Sequence, residues 1–196
     1  MALGNWTDAT AIDGFLTWMQ MAKGRSLRTL EVYRLALTRL GVFMEGRSIL
    51  TAEKQELEVF CGLWLHKQGV VALSRKPYVS AVRGFYLWCR VNGVVEMNMG
   101  EDLVYPSAGR NLPKTITLAN AERLMCAPDL ATFRGIRDSA IFHVLIGCGL
   151  RVSGLVDLNE GDLVRDVIDK KERLLVRVVE KGNRERLLPV PREAEA

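Results

Sequence analysis

The run Tyr105-Pro106-Ser107-Ala108-Gly109-Arg110-Asn111-Leu112-Pro113-Lys114 constrains this chain more than any other. Each proline lacks an amide donor and pushes its predecessor toward extended geometry, so the run reads as a linker. The hydrophobic period changes across it. Upstream, apolar residues recur three and four apart; downstream, helical spacing gives way from Leu163 to alternation. The pattern predicts a helical unit over 1–104, a linker over 105–116 and a mixed helix-and-strand unit over 117–196.

The first unit reads as four helices. Ile12, Phe15, Leu16 and Met19 keep helical spacing after a cap at Thr7 or Asp8. A second helix from about Thr29 carries Leu30, Tyr33, Leu37, Leu40 and Met44. Thr51 is the expected cap of a third, with Leu57, Phe60, Cys61, Trp64 and Leu65 inward. A fourth runs from about Ser74 to Val91, with Val79, Val82, Tyr86 and Cys89 inward and Gly93 at its end. Trp18, Trp64 and Trp88 are expected in the core. Cys61, Cys89, Cys126 and Cys148 are widely spaced in apolar runs, which predicts reduced core thiols in a cytoplasmic protein. With only two histidines and no paired ligand spacing, no metal site is expected. No leader and no apolar run of roughly 20 residues is present, so no membrane partner is expected.

Beyond the linker, Thr117 caps a short helix through Met125, closed by Pro128. A helix over about 134–146 breaks at Gly147-Cys148-Gly149, and another starts at Leu150. Residues 163–167 and 174–179 read as strands joined across the charged Asp169–Arg173 stretch. Lys181-Gly182-Asn183-Arg184 is the turn into a returning strand, where Pro189 marks an edge or an end. This places Arg151 at a helix junction expected to be buried and Lys181 at a hairpin tip. Two cations carried by different elements suggest a site for one phosphate, here one of DNA. Taken alone, Arg151 reads as half of an ion pair with Asp138 or Asp157, and Lys181 as a solvated turn lysine; only together do they point to the phosphate.

These residues resemble a known family. Arg137-Asp138, Gly149-Leu150-Arg151-Val152-Ser153, Asp162 and the run Lys181–Val190 are similar, in order, to the opening of the catalytic domain of tyrosine recombinases, the phage-integrase or Xer-like enzymes. Ser26–Leu30, Tyr33, Ser80–Tyr86 and Trp88 resemble landmarks of their helical core-binding domain. The resemblance implies a mainly α fold with a small antiparallel β-sheet: an N-terminal SAM-like helical domain, then the first part of an α+β catalytic domain. It implies double-stranded DNA as partner and, in the intact family, a tetramer on DNA, with this chain a monomer. It also implies strand cleavage and rejoining through a 3′-phosphotyrosyl intermediate, needing no cofactor. Arg151 matches the first catalytic arginine, whose fork holds two phosphate oxygens, and Lys181 matches the hairpin lysine proposed to protonate the leaving oxygen.

As DNA-backbone contacts the reading names Arg28, Arg34, Lys76, Arg83 and Arg90 on the helices, with Arg184 and Arg186 beside the hairpin. The net charge of +4 is compatible with that partner without deciding it. His143, inside an apolar helix, reads as a bonded structural histidine. Gly154 stands where the family commonly has glutamate, and the stretch between the two motifs is longer than usual. Neither His66 nor His143 opens a His-x-x-Arg, and Tyr33, Tyr78, Tyr86 and Tyr105 all precede Arg151. The chain is therefore expected to be a C-terminally truncated member that binds DNA and does not cleave it alone. The alternatives are a naturally shortened non-catalytic DNA-binding protein and a helical protein-interaction module.

Overall fold

The computed structural model describes residues 6–107, 109, 112, 115–168, 171–180 and 184–190. The chain divides into two compact units, Met1–Asn111 and Leu112–Ala196. The first half of the expected linker belongs to the helical unit.

The helical unit is built on α1 (Asp8–Met21), α2 (Leu27–Phe43) and α5 (Ala72–Val91). Thr7 and Ser26 cap α1 and α2 by accepting from the amides of Thr10 and Thr29. Their apolar stripes meet in one core, where Phe15, Leu37, Leu40, Val79, Val82 and Phe85 are fully buried. Phe15 packs edge-on against Phe85 and face-on against Tyr33, at 5.7 and 6.2 Å between centroids.

Between α2 and α5 the chain departs from expectation. Thr51 ends a 3-10 turn, Ile49–Thr51, and α3 (Lys54–Val59) starts instead after Glu53, in a reciprocal bond pattern with Glu56. A π-turn, Phe60–Trp64, then leads into α4 (Leu65–Lys67). The wider turn packs Phe60 and Trp64 around Phe43 in tilted and edge-on contacts, all within 5.5–5.9 Å between centroids. It also presents the Gly62 carbonyl to Arg75 Nη1 of α5, 2.7 Å away. Tyr86 donates from the core to the Ile49 carbonyl, and Asp8 accepts from Ser48. Trp88 is buried, while Trp18 and Trp64 are partly buried against the core.

The second unit has α6 (Leu118–Met125), α7 (Phe133–Cys148) and α8 (Val152–Val156), then an antiparallel sheet of β1 (Leu163–Ile168), β2 (Lys171–Glu180) and β3 (Arg184–Pro189) in that order. Gly147 and Cys148 stay helical; the break falls at Gly149, whose φ of 62° is the left-handed conformation that glycine tolerates best. The charged residues 171–173, expected in a loop, instead open β2, because Glu172 and Arg173 pair in register with Val167 and Asp166. Pro189 ends β3, on an outer strand of the sheet. One sheet face carries Val176 and Val178, which pack with Val190 on Cys148, Leu150 and Leu158.

The cysteines split. Cys61 and Cys89 are buried, with burial pushing both thiols up to about 12. Cys148 is half-buried against the Pro189 carbonyl, 3.6 Å away. Cys126 is exposed, contrary to expectation, because α6 ends there and turns that residue to solvent.

Candidate functional site

On α5, Lys76, Arg83 and Arg90 are spaced by seven residues, two turns, and so share one edge of the helix at steps of about 10.5 Å. Lys76 and Arg90 are exposed, and Arg90 stands in the last turn, where a cation also complements the helix dipole. Arg83 is half-buried and engaged. Its Nη1 donates to the Leu103 carbonyl at 3.0 Å, and its guanidinium lies over the Tyr105 ring, 5.4 Å from the centroid.

The α2 cations do not continue that row. Arg28 and Arg34 lie about 120° apart around the helix. Arg28 pairs with Glu31 one turn on, at 3.0 Å, and Arg34 with Asp13 of α1 at 2.8 Å. All four side chains are more than half exposed, so each pair is worth about 0–1 kcal/mol and a stronger anion can displace it.

In the second unit, Arg151 is exposed rather than buried, occupying the N-cap position of α8 just beyond the Gly149 turn. Of the two acids considered for it, Asp138 is held by its neighbour Arg137 at 2.7 Å. Lys181 lies outside the described residues, as do Asp169, Lys170, Gly182 and Asn183. Arg184 and Arg186 are exposed on β3, in register with Glu180 and Val178. The two-residue repeat of a strand puts Arg186 on the Val176–Val178 face, which packs on Leu150, the neighbour of Arg151. Register thus carries Arg186 and Arg184 along the sheet face on which the α7–α8 junction rests. Gly154 faces open space: a side chain added there would meet no atom within 4 Å.

His143 is half-buried, and the Ser139 carbonyl accepts from its Nδ1 at 2.8 Å. The tyrosines all have structural surroundings in the helical unit. Tyr86 is buried and bonded to Ile49, Tyr78 accepts from Arg39 at 3.0 Å, Tyr33 stacks on Phe15 and Tyr105 lies under Arg83. Burial pushes the Tyr33 hydroxyl pKa up. Among the described residues, no cluster of histidine, cysteine and carboxylate residues could hold a metal, and no helix is long and apolar enough to cross a membrane.

Residues 12–93 match the family described as phage integrase, N-terminal SAM-like domain. A tyrosine recombinase XerD of Pseudomonas aeruginosa is 33% identical over 184 residues, which cover 93% of this chain and 60% of the relative. A tyrosine recombinase XerC of Chromobacterium violaceum is 34% identical, over 94% of this chain and 59% of the relative. The chain thus spans about three fifths of the length of these curated relatives. Among solved structures, a lambda integrase tetramer bound to a Holliday junction aligns over 94% of this chain and 51% of its own, with a TM-score of 0.69 and 13% identity. That likeness speaks for the fold.

Proposed function

The chain belongs to the tyrosine recombinase family, and on that premise we propose that it binds duplex DNA by its backbone through the helical unit. The observation that carries the proposal is the α5 edge, where Lys76 and Arg90 stand exposed about 21 Å apart on one rigid helix. Phosphates attract such cations without regard to sequence, and fixed spacing on a helix sets the register of the duplex. Arg28 and Arg34 on α2 extend the set by exchanging weak carboxylate partners for phosphates. The lambda integrase structure, with its DNA junction, supports the same reading by its fold.

In the second unit the proposal assigns Arg151 to a phosphate at which strand exchange takes place in the family. A guanidinium there stabilises the extra negative charge of the transition state, and removing such a donor costs roughly 3 kcal/mol or more of activation energy. Lys181 is proposed as the acid that protonates the departing 5′-oxygen, and Arg184 and Arg186 as backbone contacts beside it. None of the four tyrosines is proposed as nucleophile, since each is committed within the helical unit. Assembly into tetramers on DNA is proposed for the whole protein.

The test is a duplex titration at increasing salt. Log affinity is expected to fall linearly with log salt, with a slope of about 0.9 per phosphate neutralised. A flat response would sink the proposal and favour a helical protein-interaction module. For the second unit, the whole protein is mixed with a nicked suicide duplex: covalent trapping is expected to be lost with Arg151→Ala, and trapping that survives Lys181→Ala unchanged refutes the lysine's assignment.

A further inference from the structure

We propose that Arg83 is a positioning residue: it clamps the segment leaving the helical unit onto α5, and so fixes where the connection to the second unit begins. The inference deepens the reading of α5 as a phosphate-binding edge and rests on it for one of its two measurements.

Five observations converge on this segment. Leu103 is 1% exposed, so the chain is drawn into the core well after α5 has ended. Gly100 passes so close to α5 that a Cβ on it would lie 3.1 Å from the Arg83 Cα. Asp102 pairs with Lys54 at 2.7 Å, tying the segment to α3 as well. Arg83 then takes both the Leu103 carbonyl and the Tyr105 ring, and the Tyr105 hydroxyl meets Ser80 Oγ at 3.3 Å, one turn back along α5.

A guanidinium is suited to this double duty. Its planar fork donates in its own plane while its face stacks on an aromatic ring, which the ammonium of lysine does not do. Arg83 also stands midway between Lys76 and Arg90. The departing chain is thus anchored in the middle of the edge proposed to meet DNA, and the cation between the two phosphate contacts is spent on the protein's own backbone. Pro106 follows directly, with no amide to donate and a restricted φ, so the anchored segment ends in a residue that disfavours continuation as helix interior.

The experiment uses the whole chain and reads two quantities. Chymotrypsin cleavage after Leu103, followed by mass, reports release of the segment, because proteolysis of a buried site tracks the population that opens. Cleavage after the fully buried Phe85 reports opening of the core. The salt slope of duplex binding counts phosphate contacts. Arg83→Ala and Tyr105→Ala are each expected to raise cleavage after Leu103 by about tenfold or more, with cleavage after Phe85 unchanged. Arg83→Lys is expected to behave as Arg83→Ala, although it keeps the charge. Arg83→Ala is expected to leave the salt slope as in the parent, whereas Arg90→Ala lowers it by about one and leaves cleavage alone. The proposal is overturned if Arg83→Ala lowers the slope by about one while cleavage after Leu103 stays constant, which would make it a phosphate contact. It is equally overturned if Arg83→Lys restores parental cleavage, or if cleavage after Phe85 rises in step with that after Leu103. A flat slope in the parent chain defeats the DNA reading and leaves the cleavage measurement to decide the clamp.

Discussion

In the helical unit Phe15, Leu37, Leu40 and Phe85 are wholly buried, whereas in the second unit Phe133 is 85% exposed and Leu118, Val152 and Val156 are 76%, 67% and 74% exposed. Composition contributes, since twelve of the fourteen aromatic residues, with every Trp and Tyr, fall in the helical unit, and geometry adds to it. Helices α1, α2 and α5 each find two partners, so every apolar stripe is covered. Helices α6, α7 and α8 meet chiefly one another and one sheet face, and among the described residues of that unit only Ala121, Leu175, Val176, Val178 and Val190 are buried hydrophobics. Burial of apolar area is the main favourable term in folding, so these residues concentrate their stability in the helical unit. A rigid helix bundle suits the holding of a duplex in register. The Arg151 junction depends instead on one glycine turn and one small cluster.

Truncating the same residue type in each unit tests this contrast with the largest effect. Phe15→Ala is expected to cost about 3–5 kcal/mol in denaturant unfolding followed by far-UV circular dichroism. Phe133→Ala is expected to stay within about 0.5 kcal/mol; equal losses would mean that Phe133 is packed as fully as Phe15.

The turns before and after α7 come next. A Cβ at Gly135 would lie 1.9 Å from the Asp129 carbonyl oxygen, so Gly135→Ala is expected to cost about 1–3 kcal/mol in the second unit's unfolding. Gly149→Ala meets no atom but must hold a positive φ, and about 1 kcal/mol is expected. Both should leave the helical unit's transition in place.

Thiol labelling at pH 8 separates the units without mutation. Cys126 should react fastest and Cys148 more slowly, while Cys61 and Cys89, pushed up to about 12 by burial, should react only on unfolding. Rapid labelling of Cys61 would contradict the closed core.

The smallest effect is with pH. Bonding to Lys54 holds the Asp102 carboxyl below its usual range, so the pair's contribution is present at neutral pH and is lost as pH falls through that depressed value. Lys54 is raised by the same contact, and its share fades only above the ordinary lysine range. A slight fall in the helical unit's Tm on acidification is expected, and Asp102→Asn should remove part of it.

Much of this architecture was legible in the spacing of apolar residues. Leu37, Leu40, Val79, Val82 and Tyr86 point inward as their periodicity required, and Thr117 caps α6 as its position before an apolar run suggested. What was illegible depends on contacts remote in sequence. The π-turn at Phe60–Trp64 goes with aromatic packing against Phe43 and with an arginine 13 residues beyond Gly62, neither visible in local pattern. The start of β2 at Lys171 comes from pairing with β1, which overrides a loop-like composition. Arg83 shared its heptad spacing with Lys76 and Arg90, and only the fold reveals that its guanidinium is taken by Leu103 and Tyr105. The exposure of Arg151 was hidden by its apolar neighbours: Cys148 and Leu150 pack on the sheet while Arg151 itself is exposed.

The most direct test removes two cations from each unit and compares the salt dependence of duplex binding. Lys76→Ala with Arg90→Ala strips the α5 edge, and Arg165→Ala with Arg177→Ala strips the sheet by the same charge. The account predicts that the first pair lowers the slope of log affinity against log salt by about two and that the second leaves it unchanged. Equal slopes for the two pairs would contradict the assignment of DNA-backbone contacts to the α5 edge.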